Sequence, residues 1–373
     1  MIPLSRPLIG KEEINAVESV LKSGRLSLGE KTEEFEKNFA NFIGTEYAVA
    51  TSSGTSGLHL CMRAIDLKES DEVITTPFSF ISSANCILFE RAKPVFADID
   101  EKTFNMDPEK IEDAVTERTK AILPVHIFGQ PSEMDKIMQI AKKRNLKVIE
   151  DACESIGAEY NGRKAGKFGL ASVFAFYPNK QITTGEGGMI CTDSRHFHDI
   201  CKSLRNQGRS EKGEWLDHRY LGYNYRLNEM SCALGIEQLK KIKYMLKKRN
   251  EAASEYTKML KDVDGVRTPF VDKNIKMSWF VYVVRLEDGI NRDGVIKFLL
   301  KNGIESRPYF PSIHLQPLYR EKFGFREGDF PVCESVSNSV LALPFYTHME
   351  KNTIHQVCET LEKAIKYVRG KQK

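Results

Sequence analysis

The sequence predicts an α/β fold: a large domain on a mostly parallel central sheet, followed by a smaller C-terminal α+β domain. Three observations carry this. Helical and strand patterns alternate from residue 45 to residue 193. The strand segments are apolar on both faces, as strands covered on both sides by helices must be. After residue 193 the chain changes character, and residues 228–262 read as a long helix, or a kinked pair, rich in Lys and Glu. A chain of 373 residues is too long for one ordinary core. The boundary falls near 240–250, dividing the chain into 1–245 and 246–373.

Taken in order, KEEINAVESVLKSG places Ile14, Val17, Val20 and Leu21 on one helical face. KTEEFEKNFANFIG does the same with Phe35, Phe39 and Phe42. YAVAT is a strand and GTSGLHLCMRAI opens a helix. DEVITTP is a strand, Phe80–Ala92 a helix, KPVFADID a strand, and PEKIEDAV a helix with Pro108 at its start. TKAILPVHI, KVIEDA, ASVFAFYP and GGMICT complete the sheet, with SEMDKIMQIAKKRN as a helix after the first of them. In the smaller domain MSWFVYVVRL is a strand, NRDGVIKFLLKNG a helix capped by Gly303, and 349–368 a closing helix. The last residues, KYVRGKQK, read as a frayed, solvated end.

Composition excludes several classes. Apolar residues make up 41 % and charged residues 28 %, with a net charge of +4 and no long basic run, so nucleic acid is not an expected partner. No stretch approaches a membrane span. The N-terminus carries charges too early for a signal-peptide core. The eight cysteines are scattered without CxxC pairs, which suggests reduced, mostly buried thiols, a cytoplasmic location and no metal site.

Four stretches fall at strand ends or helix starts. SSGTSG (52–57) follows a strand and opens a helix; Gly54 and Thr55 there make either a phosphate cup or a plain helix cap. VIEDACES (148–155) sets Glu150, Asp151 and Glu154 at the end of an apolar strand, where a carboxylate is expensive unless donors meet it. TTPFSFISSAN (75–85) offers Phe78 and Phe80 as core or as a flat ring for a flat ligand. FAFYPNKQITTGEGGM (174–189) carries a single lysine, Lys180, between an aromatic run and a glycine-rich turn around Glu186. The bland reading is a turn lysine; the sharp one is an amine for covalent work on a carbonyl. Lysine, acid, ring and phosphate cup together suit pyridoxal 5′-phosphate, which needs a Schiff-base lysine and an acid at its ring nitrogen.

These pieces, with SGRLSLGEKTEEFE, ADIDEKTFNMDPEKIE, KAILPVHIFGQP and LGYNYRLNEM, give nearly the whole chain a resemblance to the DegT-type nucleotide-sugar aminotransferases, pyridoxal-phosphate enzymes of fold type I. The resemblance implies that Lys180 carries the cofactor and shuttles the proton. It implies that Asp151 pairs with the ring nitrogen, Gly54 and Thr55 hold the phosphate, and Phe80 stacks on the ring. Glu154 stands where many members have Gln or His. Ala175 stands where many have a phosphate-binding Ser. Asn224 matches an asparagine that reaches the neighbouring subunit's site, so a homodimer with shared sites is implied. The implied reaction moves an amino group from L-glutamate to a nucleotide-linked keto-sugar, 4-keto-6-deoxy by preference, in polysaccharide or glycan biosynthesis. The family's dehydratases carry histidine in place of the lysine, so Lys180 favours amino transfer over dehydration; a non-catalytic cofactor-binding regulator is the other alternative. Arg307, Tyr309 and His314, in GIESRPYFPSIHLQPLY, and Ser27, in SGRLSLG, are the expected borders of the sugar pocket.

Overall fold

The computed structural model describes residues 1–209 and 216–371. Its strands, in chain order, are β1 (Tyr47–Thr51), β2 (Glu72–Thr75), β3 (Lys93–Phe96), β4 (Thr119–Ile122), β5 (Lys147–Asp151), β6 (Glu159–Tyr160) and β7 (Arg163–Lys164). There follow β8 (Ala171–Ala175), β9 (Gly188–Thr192), β10 (Val266–Arg267), β11 (Ile275–Lys276), β12 (Tyr282–Leu286) and β13 (Val340–Leu343). Seven form the central sheet in the order β1-β9-β8-β5-β4-β2-β3. Only β9 runs against its neighbours; the rest are parallel. The C-terminal ends of the parallel strands therefore meet the start of β9 along one edge.

Burial on both faces follows from the side-chain period of two. Along β1, Ala48 and Ala50 join the core beneath helices Glu30–Ile43 and Glu229–Lys240, while Val49 joins the core on the opposite face. Along β9, Met189 and Cys191 face the first core and Ile190 the second. Phe35 and Phe39 are fully buried against Phe174 and Phe176, with Phe42 at the margin. Each such ring contributes roughly 1.5–3 kcal/mol. Cys61, Cys86 and Cys201 fill the second core; all eight cysteines are free, and only Cys153 is less than fully buried.

The strands are shorter than their apolar patterns predict. β2 stops before Pro77 and β4 before Pro124, because proline offers no N–H to continue a ladder. The helix expected over Phe80–Ala92 spans Ser82–Leu88, and the strand expected over MSWFVYVVRL begins only at Tyr282. The long helix is two, Glu229–Lys240 and Ile242–Leu260, hinged at Lys241. The expected cap holds in outline: helix Arg292–Lys301 ends and Gly303 follows with φ +77°. The closing helix runs to Lys371 rather than fraying at residue 366, because its apolar face, through Val368, packs on the core; Gln372 and Lys373 lie outside the described residues.

A second sheet, β10-β12-β13, backs onto helices Ile242–Leu260 and Lys351–Lys371. The chain's first residues join this half: Ile2 pairs with Ile304, and the Phe345 N–H donates to the Leu4 carbonyl. A further core binds the two sheets together, with Phe78, Val125 and Phe128 against Phe280, Val281 and Val340. That contact puts residues 278–281 and 309–311 over the strand-end edge of the large sheet.

Candidate active site

A cavity of about 640 Å³ opens at that edge. Four turns build its floor, and each is one of the stretches with chemistry in the sequence.

The turn after β1 begins helix Gly54–Ala64. Ser53 caps it, its hydroxyl accepting the Ser56 N–H at 3.0 Å. The cap is thus present, and Ser53, Gly54 and Thr55 also line the cavity at the helix's positive end. Gly54 has no room for more: a Cβ there would lie 2.8 Å from Ala175 Cβ and 2.9 Å from Cys153 Sγ. Thr55 Oγ1 is 2.7 Å from Ser82 Oγ, the start of the next helix.

At the end of β5 the strand alternation sorts the acids. Glu150 points away from the cavity and accepts the N–H groups of Gly166, Phe168 and Gly169 at 2.7–2.8 Å, with His126 Nε2 at 3.0 Å. Its role is structural. Asp151 points into the cavity, buried, accepting Ser83 Oγ–H at 2.7 Å and the Cys153 N–H at 3.2 Å. Glu154 accepts the Phe128 N–H at 2.8 Å and lies 3.4 Å from Lys180 Nζ. Burial pushes the Glu154 carboxyl above its ordinary range, and the Lys180 ammonium works against that rise.

Lys180 projects from the turn after β8 with its Nζ 3.8 Å above the centre of the Phe280 ring. Of the glycines that follow, Gly185 takes φ +82° in open space, whereas Gly187 and Gly188 have a packing reason. Gly188 lies directly against the Ser53 carbonyl, so any side chain there would push the start of β9 off the helix-start turn. Glu186 and Gly187 also line the cavity.

Phe80 lines the cavity and is 59 % exposed, free to lie on a ligand, whereas Phe78 is core. Tyr309 closes the far side, its hydroxyl held above its ordinary pKa by burial and then by the Glu154 charge. Three expected border residues are not brought there. His314 is fully buried, with Nε2 3.0 Å from Glu334 Oε1 and its ring against Phe330, because the short turn Ile313–Leu315 aims it inward. Arg307 is exposed, its backbone paired with Ala342. Ser27 is exposed in the bend before helix Glu30–Ile43. Asn224 is exposed and bridges through its backbone to Asn206, outside this chain's own cavity.

Sequence reasoning missed Phe280, Ser83 and the Phe128 N–H. Ser83 stood in a stretch already singled out, but nothing marked it above its neighbours. Phe280 and Phe128 come from distant segments, and only tertiary packing brings them to Lys180 and Glu154.

A mostly parallel sheet with a half-buried lysine, a buried aspartate and a helix start around one cavity defines a transferase of the aminotransferase class. The chain belongs to the DegT/DnrJ/EryC1/StrS aminotransferase family, whose model matches residues 7–362. It is 39 % identical to the spore coat polysaccharide biosynthesis protein SpsC of Bacillus subtilis, covering 98 % of this chain and 97 % of that one. It is 37 % identical to the GDP-perosamine synthase of Caulobacter vibrioides, covering 96 % of each. Its fold matches Helicobacter pylori PseC, an aminotransferase involved in the biosynthesis of pseudoaminic acid, with a TM-score of 0.93, 30 % identity and coverage of 98 % and 99 %.

Proposed function

We propose that this enzyme moves an amino group from L-glutamate to a nucleotide-linked keto-sugar, a 4-keto-6-deoxy sugar by preference, for polysaccharide or glycan synthesis. Its cofactor is pyridoxal 5′-phosphate. The observation that carries the reading is the meeting of Lys180, Asp151 and the start of helix Gly54–Ala64 in one cavity. The residues present fit the cofactor: an amine, a carboxylate held by two donors, free N–H groups at a helix start, and a glycine where a Cβ would collide with the wall.

Bound there, the cofactor would supply an aldehyde that takes up amines and a protonated ring that accepts electrons. Lys180 would hold it covalently. Ser53, Gly54 and Thr55 would take its phosphate, Asp151 would keep its ring nitrogen protonated, and Phe80 would cover its flat face. Lys180 Nζ would then collect the proton from the amine-bearing carbon of the donor and return one to the sugar carbon in the second half. Glu154, 3.4 Å from that amine, would help orient it. Tyr309 would border the sugar. Asn224, outside its own cavity, is read as serving the site of a second copy in a homodimer. We read the chain as a cytoplasmic enzyme of two domains, 1–245 and 246–373. Its free cysteines support the first reading. The second is supported by the seven-stranded sheet lying in 1–245 and the sheet β10-β12-β13 in 246–373, while the small sheet β11-β6-β7 joins the two halves.

The test is incubation of the loaded enzyme with L-glutamate and a panel of nucleotide-linked 4-keto sugars, with mass spectrometry of the products. An amino-sugar and 2-oxoglutarate in equal amounts are expected. A dehydrated sugar with no nitrogen gained, or no product with any sugar, would overturn the reading.

A further inference from the structure

Arg249 stands on helix Ile242–Leu260, in the C-terminal half, yet ends beneath the reacting lysine. It is 2 % exposed, and among the described residues no carboxylate pairs with it. A buried guanidinium is costly unless its donors are met. Here its two terminal nitrogens meet three main-chain carbonyls, while Nε, equally buried, finds no partner among the described residues. Nη1 donates to the Trp279 carbonyl at 3.2 Å and to the Phe280 carbonyl at 3.1 Å; Nη2 donates to the Lys180 carbonyl at 3.3 Å. Burial pulls its pKa down to about 10, so it remains charged at neutral pH. Such charge-assisted bonds are the strong ones, and a planar fork makes several at once.

The carbonyls it gathers are not arbitrary. Trp279 sits at φ +52°, a left-handed conformation that costs a residue with a side chain. The next residue, Phe280, carries the ring under Lys180 Nζ. Its N–H is tied to the Phe128 carbonyl at 3.1 Å, and the Phe128 N–H in turn holds Glu154. One cation thus grips both the main chain that bears the amine and the main chain that bears the ring beneath it.

We propose that Arg249 is a positioning residue: by holding the carbonyls of Lys180, Trp279 and Phe280 together, it fixes Lys180 Nζ over the Phe280 ring and beside Glu154. The proposal rests on the reading of Lys180 as the cofactor-bearing amine. It also makes the C-terminal half of the chain part of the amine's support.

The test compares wild type, Arg249→Lys and Arg249→Met, each loaded with pyridoxal phosphate. Borohydride reduction and peptide mass spectrometry first report which lysine carries the cofactor. A wild-type adduct anywhere but Lys180 overturns the reading of Lys180, and with it this proposal; an adduct on Lys180 upholds that reading whatever Arg249 does. Visible circular dichroism per bound cofactor and steady-state kinetics then test Arg249 itself. For folded Arg249→Met we expect the dichroism to fall by at least half. kcat should fall about tenfold, the scale of a lost charge-assisted bond, with KM for glutamate little changed. Arg249→Lys, which keeps the charge but spans fewer carbonyls, should lie between. A purely structural arginine would lower the melting temperature and leave dichroism and kcat per folded molecule at wild-type values; that result overturns the proposal. Should Arg249→Met not fold, Arg249→Lys decides by the same two readouts, and wild-type values there overturn it equally.

Discussion

Lys180 and Glu154 are a half-buried cation and a buried acid 3.4 Å apart, and the behaviour of the site turns on that pair. Lys180→Ala should abolish amino transfer and leave a folded protein, with the melting temperature of the cofactor-free form lowered because Glu154 and the Phe280 ring lose their cation. Turnover near the wild-type rate would show that another group does the covalent work. Glu154 has a pH signature of its own. Its carboxyl is raised above the ordinary 4.5, by burial first. The folded state therefore holds this proton more tightly than the unfolded chain does. The stability so contributed is complete below pH 4.5 and is lost as pH rises through the raised value. Glu154→Gln has no proton to lose. Relative to wild type, the cofactor-free variant should gain stability as pH climbs from 4.5 toward neutrality. Melting curves across that range are the check; a difference that is flat with pH, or that shrinks, contradicts the raised carboxyl.

At the scale of elements, the site depends on how closely the helix start at Gly54 approaches the ends of β5 and β8. The two walls there, Ala175 Cβ and Cys153 Sγ, are each within 3 Å of where a Cβ would be. The first belongs to a stiff residue at the end of a buried strand and cannot swing aside. Gly54→Ala should therefore cost about 1–3 kcal/mol through overpacking. It should also loosen the cofactor, because any relief moves the helix's free N–H groups away from the cavity. Urea unfolding and cofactor titration measure the two effects separately. Full stability with full cofactor affinity would mean that the turn yields more easily than the packing implies.

For the whole molecule, the question is why Asn224 lies outside its own cavity. It is flanked by Tyr223 and Tyr225, whose rings stack with centroids 5.0 Å apart. Both are tied to the helix behind Gly54: Tyr225 through His59 at 3.1 Å, and Tyr223 through Glu90 at 3.3 Å, which also meets His59. The loop is thus rigidly mounted while Asn224 faces solvent, as a residue offered to a second copy would be. Asn224→Ala should weaken cofactor retention by roughly 1.5–3 kcal/mol, one hydrogen bond to a charged group. Under the proposed sharing of sites in a homodimer, co-expressed Lys180→Ala and Asn224→Ala chains should regain activity as heterodimers, because one of the two sites would then be wholly wild type. Heterodimers no more active than the better parent would mean that Asn224 serves no partner site.

Periodicity and turn chemistry alone determined the alternating elements of the large sheet and the turns that carry Lys180, Asp151 and Gly54. These are local properties: an apolar run, a Gly-rich break and a Ser/Thr helix start are each written within a few residues. The motifs also carried the family. What the sequence could not decide was any choice settled by a distant neighbour. Glu150 and Asp151 are equally acidic, and only the strand's facing in the assembled sheet sends one to a structural nest of N–H groups and the other to the cavity. His314 read as a pocket residue until Glu334, twenty positions on, claimed it. Phe280 and Arg249 carried no local mark at all. Their places under Lys180 arise because the C-terminal half folds back over the strand ends, and contacts between segments a hundred residues apart are fixed by packing of the whole rather than by the pattern of any part.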